Sequence, residues 1–231
     1  DLGMSRGLGD VYKRQVLSDE KGTVLPGVYA AGEAACVSVH GANRLGTNSL
    51  LDIVVFGKRA GQSMVDYVTQ TKPNSISDSA SDDLSKKIQN LIDKEHTDEF
   101  SVANIRKDLQ ESMEENAKIF RTKETLEKQT EILEELRDRY ENVTIFDKSK
   151  VHNSELVEAI ELDYLLDMSE ATVASALARN ESRGAHSRQD FPDRDDTNFM
   201  KHSFAFKKDN TANLKYKDVE LGKYEPMERK Y

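Results

Sequence analysis

Apolar residues recur three or four positions apart along much of the chain after residue 83, a spacing that places them on one face of an α-helix. One such stripe consists of Ile105, Leu109, Met113, Ala117 and Phe120. The spacing predicts helices over residues 83–94, 102–121, 123–142 and 153–180. Each helix has a charged face opposite its apolar stripe, so we expect these helices to pack as an antiparallel bundle.

The last of these helices is the longest, and its predicted stripe consists of Leu156, Ile160, Tyr164, Met168 and Ala171. A polar, turn-rich segment follows at residues 181–196. Two further runs, 200–206 and 214–220, are bounded by polar residues and predict the strands of a small β-hairpin.

The first part of the chain has a shorter apolar pattern. Pro26-Gly27 precedes the run 28–31, which predicts a short buried strand. Residues 34–47 are predicted to form a loop, and the side chains of residues 47–49 to cap the helix that follows. That helix should run to about residue 69. Its apolar residues lie almost all round it, so we expect it to be buried.

Composition divides the chain into parts. Residues 72–83 are rich in Ser, Asp, Asn and Pro, which is typical of a linker and marks a domain boundary. We therefore predict an α+β chain with a first domain over 16–72, a helical bundle domain over 83–180 and a small mixed C-terminal domain over 181–231. Residues 1–15 show neither a start signal nor periodicity, and we interpret them as a non-native or misjoined segment.

The chain of 231 residues is acidic, with 42 Asp and Glu against 33 Lys and Arg and a net charge of -9. No basic patch offsets this charge, which argues against binding to nucleic acid. Cys36 is the only cysteine, so neither an intrachain disulfide nor a cysteine metal cluster can form. No apolar run reaches the ~18 residues of a membrane span. These features indicate a soluble or peripheral protein without a membrane span of its own.

Two charged residues of the first domain have candidate ligand-binding positions. Glu33 follows the predicted strand and Gly32, where a carboxylate can accept a hydrogen bond from a sugar-type hydroxyl of a nucleotide or flavin. An ordinary surface acid is the alternative. Arg44 stands among small residues, and its guanidinium matches the two oxygens of a carboxylate, unless a neighbouring Asp or Glu pairs with it. His40 is interpreted as a structural histidine rather than a proton carrier.

Ser49 and Leu50 lie at the start of the predicted helix, where free amide groups and the helix dipole favour an anion. A reduced flavin is such an anion, and a helix start without a ligand is the alternative. The acids of residues 193–196 lie among arginines, so we interpret them as a salt-bridged loop rather than a metal site. The sequence has no Gly-x-Ser-x-Gly turn, His-Glu-x-x-His helix or P-loop that would indicate another catalytic arrangement.

Three segments closely resemble one family of flavoprotein subunits, which includes succinate dehydrogenase, fumarate reductase and L-aspartate oxidase. They are Gly-Glu at 32–33, the long run at 40–57 that begins with His-Gly-Ala-Asn-Arg-Leu-Gly, and Glu-Ser-Arg-Gly-Ala-His-Ser-Arg at 181–188. The resemblance covers nearly all of the chain after residue 16, and the segments 36–39 and 190–196 favour succinate dehydrogenase. It implies a terminal fragment of an FAD-binding α/β domain, followed by a helical bundle domain and a small mixed C-terminal domain.

The resemblance implies FAD as the cofactor, with Glu33, Ser49 and Leu50 as cofactor-binding residues and Arg44 as the residue that binds a carboxylate of succinate. It implies no catalytic residue and no metal ligand in this chain. The proton-accepting arginine, the first Gly-x-Gly-x-x-Gly motif and the histidine that carries FAD are expected upstream, so we expect this chain alone to be inactive. Thr47 departs from the family pattern, which usually has glycine or serine there.

The family reaction, implied by the same resemblance, oxidises succinate to fumarate with hydride transfer to FAD, after which electrons pass through an iron-sulfur subunit to a membrane quinone. The implied partners are that subunit and the membrane anchor subunits. The implied location is peripheral, at the cytoplasmic face of a bacterial inner membrane or the matrix face of a mitochondrial one. Arg183, His186 and Arg188 would pack near the flavin domain and the iron-sulfur partner. The alternatives are fumarate reductase, L-aspartate oxidase, or an acidic helical interaction module without catalysis.

Overall fold

The computed structural model describes residues 14–35, 39–72, 75–208, 211–222 and 226–227. Cys36 and most of the segment 1–15 therefore lie outside the described residues. The helices in these ranges are α1 (Asn48–Gln70), α2 (Asp82–Asp93), α3 (Val102–Asn116), α4 (Lys123–Glu141), α5 (Ser154–Ala178) and the short α6 (Asp196–Phe199). The strands are β1 (Gln15–Leu17), β2 (Val24–Tyr29), β3 (Phe120–Arg121), β4 (Ser187–Arg188), β5 (Lys201–Lys208) and β6 (Thr211–Asp218). The predicted α+β class is confirmed.

The first sheet consists of β1 and β2, which pair antiparallel. The prediction that Pro26-Gly27 precedes the strand is wrong, because both residues lie inside β2. Gly27 has a φ of 79°, and a Cβ at this position would lie 3.0 Å from the Tyr67 ring of α1. The register between the strands shifts here, so the glycine occupies an irregular part of the strand that approaches α1 closely.

Two predictions of burial in the first domain are wrong. Val28 on β2 is 47% exposed, and α1 buries only Asp52 and Ala60. The large apolar residues that α1 leaves exposed are Leu50, Leu51, Ile53, Val54, Val55, Met64, Val65 and Val68. The bounds of α1 agree with the predicted helix, but the described residues cover it on one side only. The apolar pattern therefore predicted the helix correctly but its burial wrongly.

Helices α3, α4 and α5 pack against one another, and α4 runs antiparallel to both α3 and α5. Lys128 of α4 pairs with Glu115 of α3, and the later Arg139 pairs with the earlier Asp108, so the two helices run in opposite directions. The same reversed order relates α4 to α5. The predicted antiparallel packing is confirmed for α3 with α4 and for α4 with α5, whereas α3 and α5 run in the same direction. No helix in the described ranges is long and apolar enough to cross a membrane.

The bundle surrounds the main hydrophobic core of the described chain. Each fully buried aliphatic side chain in it contributes about 1.5–3 kcal/mol through removal of apolar surface from water. Helix α2 adds Leu91 to this core after a short turn of 3-10 helix at Asp78–Ser81, which lies within the predicted linker. The other core residues are Val102, Ile105, Leu109, Ala117, Leu126, Leu133, Leu136, Tyr140, Val143, Ile145, Ala159, Leu162, Leu166, Val173 and Ala176.

The predicted helix 102–121 is too long, because α3 ends at Asn116. Nε of Arg121 donates hydrogen bonds to the carbonyls of Ala117 and Lys118, so a side chain from beyond the helix bonds the backbone at its end. Phe120, predicted on the apolar stripe, instead lies in β3 and is 69% exposed. Strand β3 pairs in parallel with β4.

The predicted apolar stripe of α5 is wrong at two positions, because Tyr164 and Met168 are exposed. The residues that α5 buries are Ala159, Leu162, Leu166, Val173 and Ala176. The acidic residues of α5 at positions 163, 167 and 170 form ion pairs with Arg137 of α4. Charge thus occupies part of the face that α5 turns towards the bundle, which apolar spacing by itself does not reveal.

A network of charges around the buried Arg137 connects the bundle with the C-terminal hairpin. Arg137 is buried, and its guanidinium donates to three carboxylates of α5, at 2.6 Å to Asp163, 2.6 Å to Asp167 and 2.9 Å to Glu170. Lys87 of α2 also bonds Asp163, and Lys207 of β5 also bonds Asp167. Burial raises the pKa of Glu170, whereas the bonds from Lys87 and Arg137 outweigh burial and lower the pKa of Asp163.

Strands β5 and β6 form the predicted hairpin, paired from Lys201 with Asp218 to Lys208 with Thr211, and it packs on α5.

Between α5 and the hairpin, Arg188 is fully buried and its Nη1 donates to three backbone carbonyls at the end of α5, those of Ala176, Leu177 and Arg179. Asp190 accepts two bonds from Arg188 and one from the backbone amide of Lys123 at the start of α4. Arg188 holds the pKa of Asp190 far below its ordinary value.

Replacing Arg137 by Met should lower the free energy of unfolding by about 3–5 kcal/mol, because the carboxylates at 163, 167 and 170 would lose their shared buried cation. Urea unfolding followed by far-ultraviolet circular dichroism measures this change. Lys107→Met is the control, because it removes an exposed pair with Glu111 on α3 and should cost under about 1 kcal/mol. Equal losses in the two variants would contradict a structural role for the network.

Candidate functional site

An open cleft of about 1540 Å³ separates the first domain from the C-terminal part of the chain. The predicted site residues Glu33, His40 and Arg44 line one wall. The opposite wall includes Arg121, Arg183 and His186, together with the end of α5 and part of β5. Ser49 and Leu50 are not part of the cleft lining. The structure therefore brings two of the four predicted ligand-binding residues together.

Glu33 begins a turn of 3-10 helix at Glu33–Ala35, just after the left-handed Gly32. The φ of Gly32 is 86°, and a Cβ there would lie only 2.9 Å from the side chain of Ile53 on α1. Glycine is required at this position because the chain must pass close to α1 in a conformation that other residues rarely adopt. The side chain of Glu33 is 84% exposed, so its carboxylate is accessible to a ligand.

Arg44 lies on the loop of residues 40–46, which we call the arginine loop. Its Nη1 is 3.4 Å from Oε1 of Glu33, and its side chain is 35% exposed. The structure therefore shows the alternative for Arg44, in which a nearby acid pairs with it. That acid is Glu33, the other predicted ligand-binding residue in the cleft lining. A long, exposed pair of this kind contributes only about 0–1 kcal/mol, so an incoming carboxylate can replace it at little cost.

The start of α1 differs from the prediction that residues 47–49 cap it. Thr47 occupies the N-cap position with a left-handed φ of 70°, and its side chain makes no capping hydrogen bond. An N-cap side chain normally reaches the first-turn amides from extended backbone, which Thr47 does not adopt. Of the first-turn amides, those of Asn48 and Leu50 donate to the backbone carbonyls of Leu45 and Thr47, at 3.3 Å and 3.1 Å. Only the amide of the predicted Ser49 is therefore left without a partner among the described residues.

His40 connects the arginine loop to α1. Its Nε2 lies 2.8 Å from Oδ2 of Asp52, a carboxylate that is buried in the first half of the helix. The other oxygen of Asp52 has no hydrogen-bond partner among the described residues. This geometry agrees with the interpretation of His40 as a structural histidine, since its ring is engaged with the helix that follows the loop.

Arg121 and His186 form a hydrogen-bonded pair on the opposite wall. Nη1 of Arg121 lies 3.0 Å from Nδ1 of His186, and Nε2 of His186 lies 3.2 Å from the Arg179 carbonyl. Arg121 is always a donor, so Nδ1 accepts and Nε2 donates, which requires a neutral ring. Burial and the neighbouring Arg121 hold the pKa of His186 below its ordinary value. Sequence reasoning missed Arg121 because it placed this residue on α3.

Glu181 anchors the segment that leads to this wall. It is fully buried and bonds Arg179, Arg183 and the backbone amide of Asp195. Arg183 also bonds Asp196, which accepts a second bond from Arg194. Asp196 is therefore salt-bridged, which agrees with the interpretation of residues 193–196 as a salt-bridged loop.

Comparison with known proteins now identifies the family. The model described as "Fumarate reductase flavoprotein C-term" matches residues 106–231, and the model of an "FAD binding domain" matches residues 4–50. The chain belongs to the succinate dehydrogenase and fumarate reductase flavoprotein family. The match to the FAD-binding model confirms FAD as the expected cofactor. The glycine turn at Gly32 and the accessible Glu33 fit that group.

Similar proteins carry both enzyme names. The chain is 46% identical over 185 residues to the succinate dehydrogenase flavoprotein subunit of Rickettsia bellii, covering 79% of this chain and 30% of that protein. It is 40% identical over 215 residues to the fumarate reductase flavoprotein subunit of Mycobacterium tuberculosis, covering 90% of this chain and 37% of that protein. The chain thus spans about a third of the length of these relatives.

Solved structures support the same fold. The chain superimposes on a quinol-fumarate reductase solved with menaquinol molecules with a TM-score of 0.81 and 36% identity, covering 92% of this chain and 38% of that one. A quinol fumarate reductase of E. coli gives a TM-score of 0.80 and 38% identity, covering 88% of this chain and 35% of that one. The fold class predicted from the sequence is that of these flavoproteins.

Thr47→Gly should raise the free energy of unfolding of the chain by up to about 1 kcal/mol. A left-handed conformation costs a residue with a Cβ roughly 1–2 kcal/mol, of which the extra flexibility of unfolded glycine offsets about half. Urea unfolding measures the change. Thr47→Ala is the matched control, because it keeps the Cβ and should recover none of this energy. A glycine variant less stable than the alanine variant would show that Thr47 is not strained.

Lowering the pH should weaken the fold partly through His186. Its pKa is lowered in the folded state, so the unfolded chain takes up the proton first and the free energy of unfolding falls as the pH drops below about 6.5. Urea unfolding at about pH 7 and pH 5.5 should therefore show a smaller loss for His186→Gln than for the unmodified chain. The same substitution at His202 serves as the comparison, because burial lowers the pKa of that histidine as well. An unchanged loss in His186→Gln would exclude this contribution.

Proposed function

We propose that this chain is the C-terminal portion of a succinate dehydrogenase flavoprotein, in which it supplies one wall of the site where FAD and a dicarboxylate meet. The supporting observation is the cleft wall itself, where Arg44 faces solvent beside Glu33 and carries only a weak pair. Family membership supports the same chemistry. Three Rickettsia relatives named succinate dehydrogenase are 46%, 47% and 48% identical to the chain, which favours that enzyme within the family.

Arg44 is proposed to bind one carboxylate of succinate. Its planar guanidinium offers two parallel N–H donors, which match the two oxygens of a carboxylate. The pair with Glu33 leaves the guanidinium accessible, and it holds the side chain at the cleft before substrate arrives. Exchange of Glu33 for a substrate carboxylate would keep the charge of Arg44 balanced throughout.

The cofactor contacts are proposed to come from Glu33, Ser49 and Leu50. The carboxylate of Glu33 can accept a hydrogen bond from a hydroxyl of FAD. The start of α1 at Ser49 and Leu50 can contact the flavin, with the amide of Ser49 as the donor, since the amide of Leu50 bonds the Thr47 carbonyl. Bound FAD supplies the hydride acceptor of the reaction. Glu33 would then have two bonding partners. It would bond the cofactor while Arg44 binds substrate, and it would pair with Arg44 when no substrate is bound.

The remaining apparatus is proposed to lie in the rest of the full-length protein. No catalytic proton acceptor is assigned to this chain, and we place that arginine upstream. The partners of the full protein would be an iron-sulfur subunit and membrane anchor subunits, with the flavoprotein peripheral to the membrane. The exposed apolar face of α1 is the surface on which we expect the rest of the FAD domain to pack. The domain limits 16–72, 83–180 and 181–231 stay a proposal.

Fumarate reductase is the second candidate, because relatives from Mycobacterium tuberculosis and Serratia that carry this name are 40% and 41% identical to the chain. The proposed role of Arg44 is the same in both directions, since succinate and fumarate are both dicarboxylates. Assays of the purified full-length protein with succinate, fumarate and L-aspartate separate these enzymes. A protein without flavin absorbance would instead be a non-catalytic interaction module, and would overturn the proposal.

Arg44→Lys in the full-length protein should raise KM for succinate about 10- to 100-fold, because one of two charge-assisted bonds is lost. The amount of FAD per chain should not change, since Arg44 is assigned to the substrate. Steady-state dye reduction and flavin absorbance measure the two quantities. The control is Arg106→Lys, the same exchange at a residue that pairs with Glu158 and Glu161 outside the cleft lining. An unchanged KM in Arg44→Lys would remove this residue from the substrate site.

A further inference from the structure

A tight turn from the C-terminal part of the chain touches the arginine loop. This turn, residues 183–186, is closed by two backbone hydrogen bonds between Arg183 and His186, at 2.8 Å and 3.1 Å. We call it the 183–186 turn. Gly184 at its tip has a left-handed φ of 61°. The point of contact is Ala42, two residues before Arg44 in the arginine loop.

The contact is close and specific to a glycine. The amide of Ala185 donates to the carbonyl of Ala42 at 3.3 Å. A Cβ on Gly184 would overlap the Ala42 carbonyl, lying 2.5 Å from its carbon and 2.7 Å from the Ala42 side chain. Real Cβ atoms do not approach backbone so closely, so any residue with a side chain at 184 must push the two segments apart.

The 183–186 turn is the stiffer of the two partners. Arg183 bonds the buried Glu181 and Asp196, and His186 is held by Arg121 on one nitrogen and by a carbonyl on the other. The arginine loop, by contrast, is exposed along its length, from Gly41 to Gly46. Its ends are tied to α1, but its middle meets the C-terminal part of the chain at Ala42. A displacement at this contact would therefore move the loop rather than the turn.

We propose that the 183–186 turn is a positioning element for the substrate-binding arginine, acting through Gly184 and Ala185 on Ala42. This inference rests on the proposed role of Arg44 in binding a dicarboxylate. The turn sets where the backbone of the arginine loop lies, and the Arg44 guanidinium follows because only one residue separates it from Ala42. A shift of about 1 Å at this distance is enough to spoil a bidentate contact.

The proposed effect is selective for substrate over cofactor. Glu33 and the first turn of α1, which are assigned to FAD, have no recorded hydrogen bond or ion pair with the 183–186 turn among the described residues. Arg44 would contact the carboxylate both before and during the reaction, so its displacement should weaken binding at both stages. KM should then rise while kcat stays nearly unchanged. Loss of folded protein alone would have the opposite signature, a lower apparent kcat with the same KM.

The test compares Gly184→Ala with the unmodified full-length flavoprotein. KM and kcat for succinate come from dye reduction, and the Kd of malonate, a dicarboxylate too short to be dehydrogenated, comes from the change in flavin absorbance. We expect KM and Kd to rise about 10- to 100-fold, with kcat within about twofold and FAD per chain unchanged. Gly22→Ala is the matched control, because Gly22 also has a left-handed φ, of 93°, but the nearest atom to its Cβ position is 3.9 Å away.

The outcomes separate the two levels of the proposal. If the unmodified protein contains FAD but neither malonate nor succinate perturbs its flavin, the proposed function fails. If it binds malonate and Gly184→Ala binds it equally well, the positioning role is overturned and the function stands. Should Gly184→Ala fail to fold, His186→Gln replaces it, because this variant loosens the turn without adding an atom at the contact. A several-fold rise in its Kd supports the proposal, and an unchanged Kd overturns it.

Discussion

The guanidinium of Arg188 is the contact on which the arrangement around the cleft depends. It is fully buried, bonds the carbonyls that α5 leaves unpaired at its end, and is clamped by Asp190, which also binds the first amide of α4. An uncompensated cation in this position would be strongly unfavourable, so the helix end and the acid must stay together. The 183–186 turn lies between the end of α5 and Arg188, so this contact holds together the two ends of the segment that carries the turn.

Electrostatics near the cleft differ from those of the whole chain. The net charge is -9, yet the walls that face each other carry Arg44, Arg121 and Arg183. The charge of Arg183 is balanced by the buried Glu181 and that of Arg44 by the exposed Glu33, whereas Arg121 bonds a neutral histidine and two backbone carbonyls. Of the two arginines that pair with acids, Arg44 has the exposed and longer pair, and it is the one for which a substrate role is proposed. Local pairing, rather than overall charge, therefore determines which cation is available to an anionic ligand.

Helix bounds were predictable because they depend on neighbours in the sequence. The periodic spacing gave α1, α2, α4 and α5 to within one or two residues, and the turn-bounded runs gave the hairpin of β5 and β6. Prediction failed where a distant group intervened. Helix α3 ends at Asn116, and Phe120 pairs instead with the distant Ser187 of β4. Tyr164 on α5 is exposed, while the acidic Asp163 beside it pairs with Arg137 of α4. Strand β2 includes Pro26-Gly27, and Gly27 lies close to the ring of Tyr67 on α1.

The sequence alone determined the periodic helices, the family resemblance and the identity of Glu33 and Arg44 as candidate ligands, since these depend on residue type and local spacing. Only the tertiary structure decided that Glu33 and Arg44 pair with each other, that Thr47 leaves α1 uncapped, and that Gly184 meets Ala42. The physical reason is the range of the interactions. Spacing along the chain reports which face of an element is apolar, whereas pairing and close approach depend on residues that are distant in sequence and adjacent only after folding.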